Sequence, residues 1–107
     1  MAGSIPERDW KYMKEIKDHL LAILCRQINR RSVVILKENN GSEYEKYLRH
    51  YEHIKNSDRI IAECFDDWRR STLMQKLIAL QHYDLLTDEQ VEQLSGETQQ
   101  KLKALKQ

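Results

Sequence analysis

Apolar residues recur every three or four positions through the first third of the chain, which is the spacing of one face of an α-helix. Pro6 suits the first turn of such a helix, because its missing N–H would have no partner there. The pattern predicts a first helix over residues 6–37. Its apolar stripe comprises Trp10, Met13, Ile16, Leu20, Ile23, Leu24 and Ile28.

The end of this first helix has an alternative interpretation. Residues 32–36 contain a β-branched run that could form a short buried strand. No second strand is evident to pair with it, and no helix breaker precedes residues 39–41 (Asn-Asn-Gly). We therefore expect the helix to continue, with Val34 and Ile35 rejoining its apolar stripe.

A second helix is predicted over residues 43–55. Ser42 and Glu45 have the spacing of a capping box, in which each side chain satisfies the backbone N–H of the other residue. The apolar face of this helix is unusual because it carries three tyrosines, whose rings are apolar and whose hydroxyls are polar. It comprises Tyr44, Tyr47, Leu48, Tyr51 and Ile54.

The third predicted helix, residues 58–83, has apolar residues on two different sides. Its first half carries a stripe of Ile60, Ile61, Cys64, Phe65 and Trp68. Its second half carries Leu73, Met74, Leu77, Ile78 and Leu80, centred about 160° away by helical geometry. Three arrangements are open: a central helix packed on opposite sides, a break at residues 69–72, or one stripe that contacts another chain.

The last part of the chain predicts two short helices. Thr87 and Gln90 repeat the capping-box spacing and open a helix over residues 88–94. Residues 96–107 have only three apolar residues, so we expect a loosely attached or frayed helix there. The sequence as a whole predicts an all-α fold, a small bundle of about four helices with this C-terminal helix, in a single domain over residues 1–107.

Composition and charge indicate the cellular environment in which the protein is expected. Hydrophobic residues make up 40% and charged residues 33% of the chain, as in soluble globular proteins. A net charge of +1 gives no global attraction to nucleic acid or anionic lipid. The first residues lack the pattern of a signal peptide, and no stretch is apolar enough to span a membrane, so we expect a cytoplasmic protein without membrane contact. Cys25 and Cys64 are too isolated for a disulfide framework or a zinc site, which favours free thiols.

Two clusters contain the residue types of catalytic or metal sites. His50 and His53 are three residues apart, but a metal needs further ligands, and helical geometry puts His53 nearly opposite the apolar face. We expect His50 at the edge of that face and His53 in solvent. Residues 66–70 (Asp-Asp-Trp-Arg-Arg) predict an ion pair between Asp66 and Arg70, with Trp68 in the core. No catalytic residue, cofactor or metal site is predicted.

The sequence has one local basic patch. Residues 19–37 contain no acid and carry Arg26, Arg30, Arg31 and Lys37, which could contact phosphates through charge. Aromatic stacking residues are absent nearby. A recognition helix beginning at Asp58 would also point two acids at DNA.

The split third helix and the tyrosine-rich second helix favour an interaction protein, either a homo-oligomer or a small adaptor that binds another protein. The predicted partner interface comprises Tyr44, Tyr47, Tyr51, Trp68, Leu73 and Leu77. A nucleic-acid-binding regulator that uses the basic patch is the alternative. A small helical-bundle enzyme, with a metal at His50, is the third hypothesis.

Overall fold

Helices dominate the computed structural model, which describes residues 5–106 and is 81% helical without strands in that range. Residues 1–4, where the absence of a signal peptide was inferred, and Gln107, the last residue of the predicted tail, lie outside it. The predicted all-α fold is confirmed. The elements are α1 (Glu7–Lys37), α2 (Glu43–Phe65), a 3-10 turn (Arg70–Thr72), α3 (Leu73–His82), α4 (Asp88–Glu92) and α5 (Gly96–Lys106).

Helix α1 follows the sequence pattern closely. It begins after Pro6 and continues through residues 32–37, so the strand interpretation of that segment is excluded. Ile35 rejoins the buried side, whereas Val34 remains 49% exposed. The prediction for Val34 was wrong because α1 contacts a single helix near its end, and one neighbour covers only a narrow stripe.

Helix α2 extends well beyond its predicted end at residue 55. No stop occurs at residues 56–58, and the helix runs to Phe65. Ser57 lies between the predicted second and third helices, and its hydroxyl donates to the backbone oxygen of His53 at 2.7 Å. That bond satisfies the side chain within the helix, so Ser57 does not act as a cap.

The predicted third helix is interrupted at residues 66–72, which resolves its two apolar stripes. Asp67 adopts a left-handed backbone conformation with φ of 54°, which aspartate tolerates better than most residues. The Thr72 hydroxyl donates to the backbone oxygen of Asp67 at 2.6 Å and accepts from the Arg69 N–H at 3.2 Å. The chain therefore turns between the stripes, and both reach one core.

The predicted Asp66 to Arg70 ion pair does not form, because the helix that would align these residues ends at Phe65. The Arg69 guanidinium instead binds the Asp67 carboxylate at 2.6 and 2.8 Å, which lowers the pKa of Asp67. Arg70 donates to the backbone oxygen of Ile5 at 2.7 Å. Trp68 stacks on Phe65 and packs against the core, as expected.

Helix α5 is fixed to the start of α1 through a buried carboxylate. Asp9 accepts hydrogen bonds from the Ser95 N–H at 2.8 Å, the Ser95 hydroxyl at 2.7 Å and the Thr98 hydroxyl at 2.6 Å. Leu102 is buried one turn later, whereas Leu105 is 58% exposed. The attachment of α5 therefore lies in its first turns.

The molecule has two regions, which we call the body and the arm. The body contains α3, α4, α5, the first part of α1 and the last part of α2, and it holds the hydrophobic core. The arm is the helical hairpin of residues 25–57, which contributes no buried residue to that core. With a longest extent of 54 Å against 26 and 23 Å, the molecule is elongated. The core comprises Ile5, Met13, Leu20, Leu24, Cys64, Phe65, Leu73, Leu77, Leu80, Leu85, Leu86, Leu94 and Leu102.

Candidate functional site

The two helices of the arm meet along a seam that is largely polar. His53 Nε2 lies 2.9 Å from the backbone oxygen of Ile28, and because a carbonyl only accepts, the imidazole donates. His50 Nε2 lies 3.2 Å from the Ser32 hydroxyl. Ile35 is the one residue of residues 25–56 whose side chain is a buried hydrophobe.

Helix α2 is rotated within the arm so that its apolar face does not pack against α1. His50 and His53 are both partly buried in the seam, so the prediction that His53 lies in solvent was wrong. The physical reason is that hydrogen bonds to α1 satisfy both imidazoles, which makes a polar seam stable. The tyrosines that form the apolar side of this helix lie outside the seam and are exposed.

Three tyrosines form an exposed row on α2. Tyr44, Tyr47 and Tyr51 are 67%, 59% and 53% exposed. Their rings stack along the helix, with centroids 6.3 Å apart in each successive pair. Ile54 continues the row, and we call these four residues the tyrosine row.

A second exposed row lies on α1. Cys25, Asn29, Val33 and Leu36 follow one another at intervals of three or four residues. Val33 and Leu36 are 49% and 50% exposed, and Cys25 is half-buried. We call these four residues the α1 row.

Both rows lie on the same side of the arm. Viewed down each helix axis, the row lies ~100–120° around the helix from the line along which the two helices touch. In both helices this rotation has the same direction as the rotation from one residue to the next. Because the helices run in opposite directions, equal rotations of this kind bring the two rows to one side. The tyrosine row and the α1 row together form a continuous surface, which we call the arm face.

The two halves of the arm face differ in relief. The tyrosine row projects three aromatic rings, whereas the α1 row borders a shallow hollow with small side chains at its base. Arg26 and Arg30 stand at the edge of this hollow. The residues lining it are Ala22, Cys25, Arg26, Asn29, Arg30 and Val33.

The opposite side of the arm carries several charged residues. Arg49 contacts the Glu38 carboxylate at 3.3 Å and donates to the backbone oxygen of Asn40 at 3.0 Å. Arg31 and Glu52 lie on this side as well. The hairpin therefore has one charged side, on which Leu48 is also exposed, and one aromatic and aliphatic side.

The tip of the arm is closed by the predicted capping box. Glu45 N–H donates to the Ser42 hydroxyl at 3.1 Å, and Ser42 N–H donates to the Glu45 carboxylate at 2.9 Å. The bond from the Ser42 backbone lowers the pKa of Glu45. Gly41 precedes this cap with φ of 80°, a conformation that glycine adopts without strain.

The predicted interface residues divide between the two regions. Tyr44, Tyr47 and Tyr51 lie together on the arm face, whereas Leu73 and Leu77 are fully buried in the body. Trp68 is half-buried against the core. Trp68, Leu73 and Leu77 belong to the predicted interface because an unbroken third helix would leave one apolar stripe uncovered. The turn at residues 66–72 instead lets both stripes pack in the body.

The four side chains of the basic patch are exposed, but they do not lie on one side of α1. Continuity of α1 keeps Arg26, Arg30 and Lys37 on one side of the helix. Arg31 lies on the other side, next to Glu38 and Glu52.

Sequence reasoning missed the α1 row as part of a surface. The spacing of the row is present in the sequence, but the stripe of Leu20, Leu24 and Ile28 is more apolar and indicates the buried side of the helix. Cys25 and Asn29 carry too little apolar area for periodicity to indicate a second surface.

No group of three or more His, Cys, Asp or Glu side chains within residues 5–106 is placed to hold a metal ion. Among the same described residues, no helix has both the length and the apolar character that crossing a membrane requires. No family model, no curated protein and no solved structure matches this chain. Its function must therefore be inferred from its own surface.

Proposed function

We propose that this protein is a cytoplasmic helical interaction module without catalytic activity, which binds a partner protein through the arm face. One observation carries the proposal. Helix α2 turns its histidines toward α1 and leaves Tyr44, Tyr47 and Tyr51 exposed.

The composition of the arm face supports this proposal. Six of the ten exposed large hydrophobic side chains among the described residues belong to the arm face, namely Val33, Leu36, Tyr44, Tyr47, Tyr51 and Ile54. Scattered apolar residues are ordinary on a protein surface, but a contiguous group is typical of an interaction site. Tyrosine and arginine are also enriched where proteins contact each other.

Site-specific photo-cross-linking tests the proposal in the cells that naturally produce the protein. Tyr47→benzoylphenylalanine places the reactive group in the centre of the tyrosine row. Gln75→benzoylphenylalanine, on the exposed side of α3, is the matched control. We expect a discrete cross-linked protein band from the Tyr47 variant that the Gln75 variant does not give. Equal labelling from the two positions, or none from either, would contradict the proposal.

Nucleic-acid binding is the second candidate function, supported by the exposed line of Arg26, Arg30 and Lys37 on α1. Binding through phosphates predicts an affinity that falls steeply with salt and is lost when these three residues become glutamate. A filter-binding titration against a random duplex at two salt concentrations measures it. No binding at low salt would remove this candidate.

A further inference from the structure

The two halves of the arm face are complementary in relief. The tyrosine row projects, and the hollow beside the α1 row is recessed. Val33 and Tyr47 each stand four residues inside the helix end nearest the tip, so the two rows run level with each other. A two-fold rotation about an axis along the arm therefore places each row of one copy opposite the other row of a second copy.

The chemistry of the two rows is complementary as well. Arg26 and Arg30 edge the hollow, and a guanidinium binds favourably against the face of an aromatic ring or to its hydroxyl. Asp58, exposed one turn beyond Ile54, continues the line of the tyrosine row. After the two-fold rotation, Arg26 of one copy stands level with Ile54 of the other, within a turn of that carboxylate.

The other face-to-face arrangement is less favourable. If the two copies ran in opposite directions, α1 would face α1 across the interface. Residues 19–37 contain no acidic residue, so Arg26 and Arg30 of the two copies would repel each other. The tyrosine rows would also meet each other and leave both hollows unfilled.

We infer that the partner of the arm face is a second copy of this chain, with the tyrosine row of each copy packed into the hollow beside the α1 row of the other. This inference rests on the proposed function and names the partner of the same surface. The product is a dimer held by a four-helix bundle in which spatially adjacent helices run antiparallel.

Size-exclusion chromatography with light scattering tests self-association of the purified protein. We expect the wild type to have the mass of two chains, and the Tyr47→Lys/Tyr51→Lys variant to dissociate at roughly 30-fold or more higher concentration. Glu52→Lys, on the charged side of the arm, changes the net charge equally and should remain dimeric. Circular dichroism should be the same for all three, because the substituted side chains are exposed. A wild type that is monomeric at every concentration overturns the inference.

A mixing experiment tests the pairing of the rows. Val33→Glu alone should be monomeric, because it places a carboxylate opposite the tyrosine row. Mixed with the Tyr47→Lys/Tyr51→Lys variant, it should form a heterodimer, since the lysines of one copy then face the glutamate of the other. A mixture that remains monomeric, while wild type dimerises, overturns the arrangement of the rows.

The outcomes separate this inference from the proposed function. If purified wild type is monomeric while benzoylphenylalanine at Tyr47 cross-links a different protein in cells, self-association is wrong and the interaction function stands. Salt-sensitive binding of a DNA duplex by the monomer, lost in Arg26→Glu/Arg30→Glu, also overturns the inference. If there is neither dimer nor cross-link, both proposals fail.

Discussion

The body and the arm use their apolar residues in opposite ways. In the body, side chains from α1 to α5 bury one another, and even the carboxylate of Asp9 is enclosed by its hydrogen-bond donors. In the arm, His50 and His53 form hydrogen bonds with α1 along the seam, and the tyrosines lie outside. The pairing of α1 with α2 therefore leaves the most apolar side of α2 uncovered. That side remains available, which supports an arm adapted to a partner.

The largest expected effect contrasts a buried leucine with an exposed one. Leu77→Ala removes a fully buried side chain from the body and should lower the free energy of unfolding by ~2–5 kcal/mol, because a cavity remains. Leu36→Ala in the arm should cost less than ~0.5 kcal/mol. Urea denaturation measures both, in the Tyr47→Lys/Tyr51→Lys background so that association does not contribute. Similar costs at the two positions would show that the arm is packed like the body.

The second prediction concerns the carboxylate that joins α1 to α5. Asp9→Ala leaves three donors on Ser95 and Thr98 without their acceptor, and we expect a loss of ~2–3 kcal/mol in the free energy of unfolding. Asp18→Ala, on the exposed side of α1, is the control and should be nearly neutral. Thermal or urea unfolding compares the two. A neutral Asp9→Ala would mean that α5 is held by Leu102 rather than by hydrogen bonds.

The fold could be predicted from the sequence wherever one local signal decided the outcome. The spacing of Leu20 and Leu24 identified α1, and the Ser42 cap identified the start of α2. The predicted break between residues 55 and 58 was wrong, because a serine such as Ser57 either caps a helix or bonds back within one, and its sequence position does not decide which. The turn at Asp67 depends on a left-handed residue that the sequence does not reveal.

The site could be predicted in part for a related reason. Periodicity predicts that the tyrosines lie on one side of α2. It does not predict which side of α2 packs against α1. Whether the side with the tyrosines is covered depends on the rotation of α2 about its own axis. Two hydrogen-bonded histidines decide that rotation, and an exposed-histidine interpretation of the same residues was equally consistent with the sequence.

A third prediction uses the thiol in the body as a reporter of burial. Burial raises the pKa of Cys64 from 9.0 to about 11. Well below pH 9 the thiol is protonated in both the folded and the unfolded protein, so it does not contribute to the pH dependence of stability. Above pH 9 the unfolded chain loses the proton first, so the free energy of unfolding falls as the pH rises toward 11. The full loss is at most about 3 kcal/mol, since the pKa rises by two units and each pKa unit corresponds to ~1.4 kcal/mol.

Urea titrations at several alkaline pH values measure this effect in a Cys25→Ala background, which retains one thiol. The free energy of unfolding of the double variant Cys25→Ala/Cys64→Ala should be less sensitive to pH over the same interval. Parallel pH profiles for the two proteins would show that the thiol reaches water in the folded body.

The smallest expected effect compares two capping boxes of the same chemistry, one in each region. Removing the cap hydroxyl should cost ~1 kcal/mol in either place. In the body, Thr87→Ala should lower the free energy of global unfolding by that amount. In the arm, Ser42→Ala should leave global unfolding nearly unchanged and instead speed amide hydrogen exchange in the first turns of α2, because a hairpin with few buried apolar contacts opens locally. If Ser42→Ala lowers the global value as much as Thr87→Ala does, the arm and the body unfold as one unit, and the polar seam is as strong as the core.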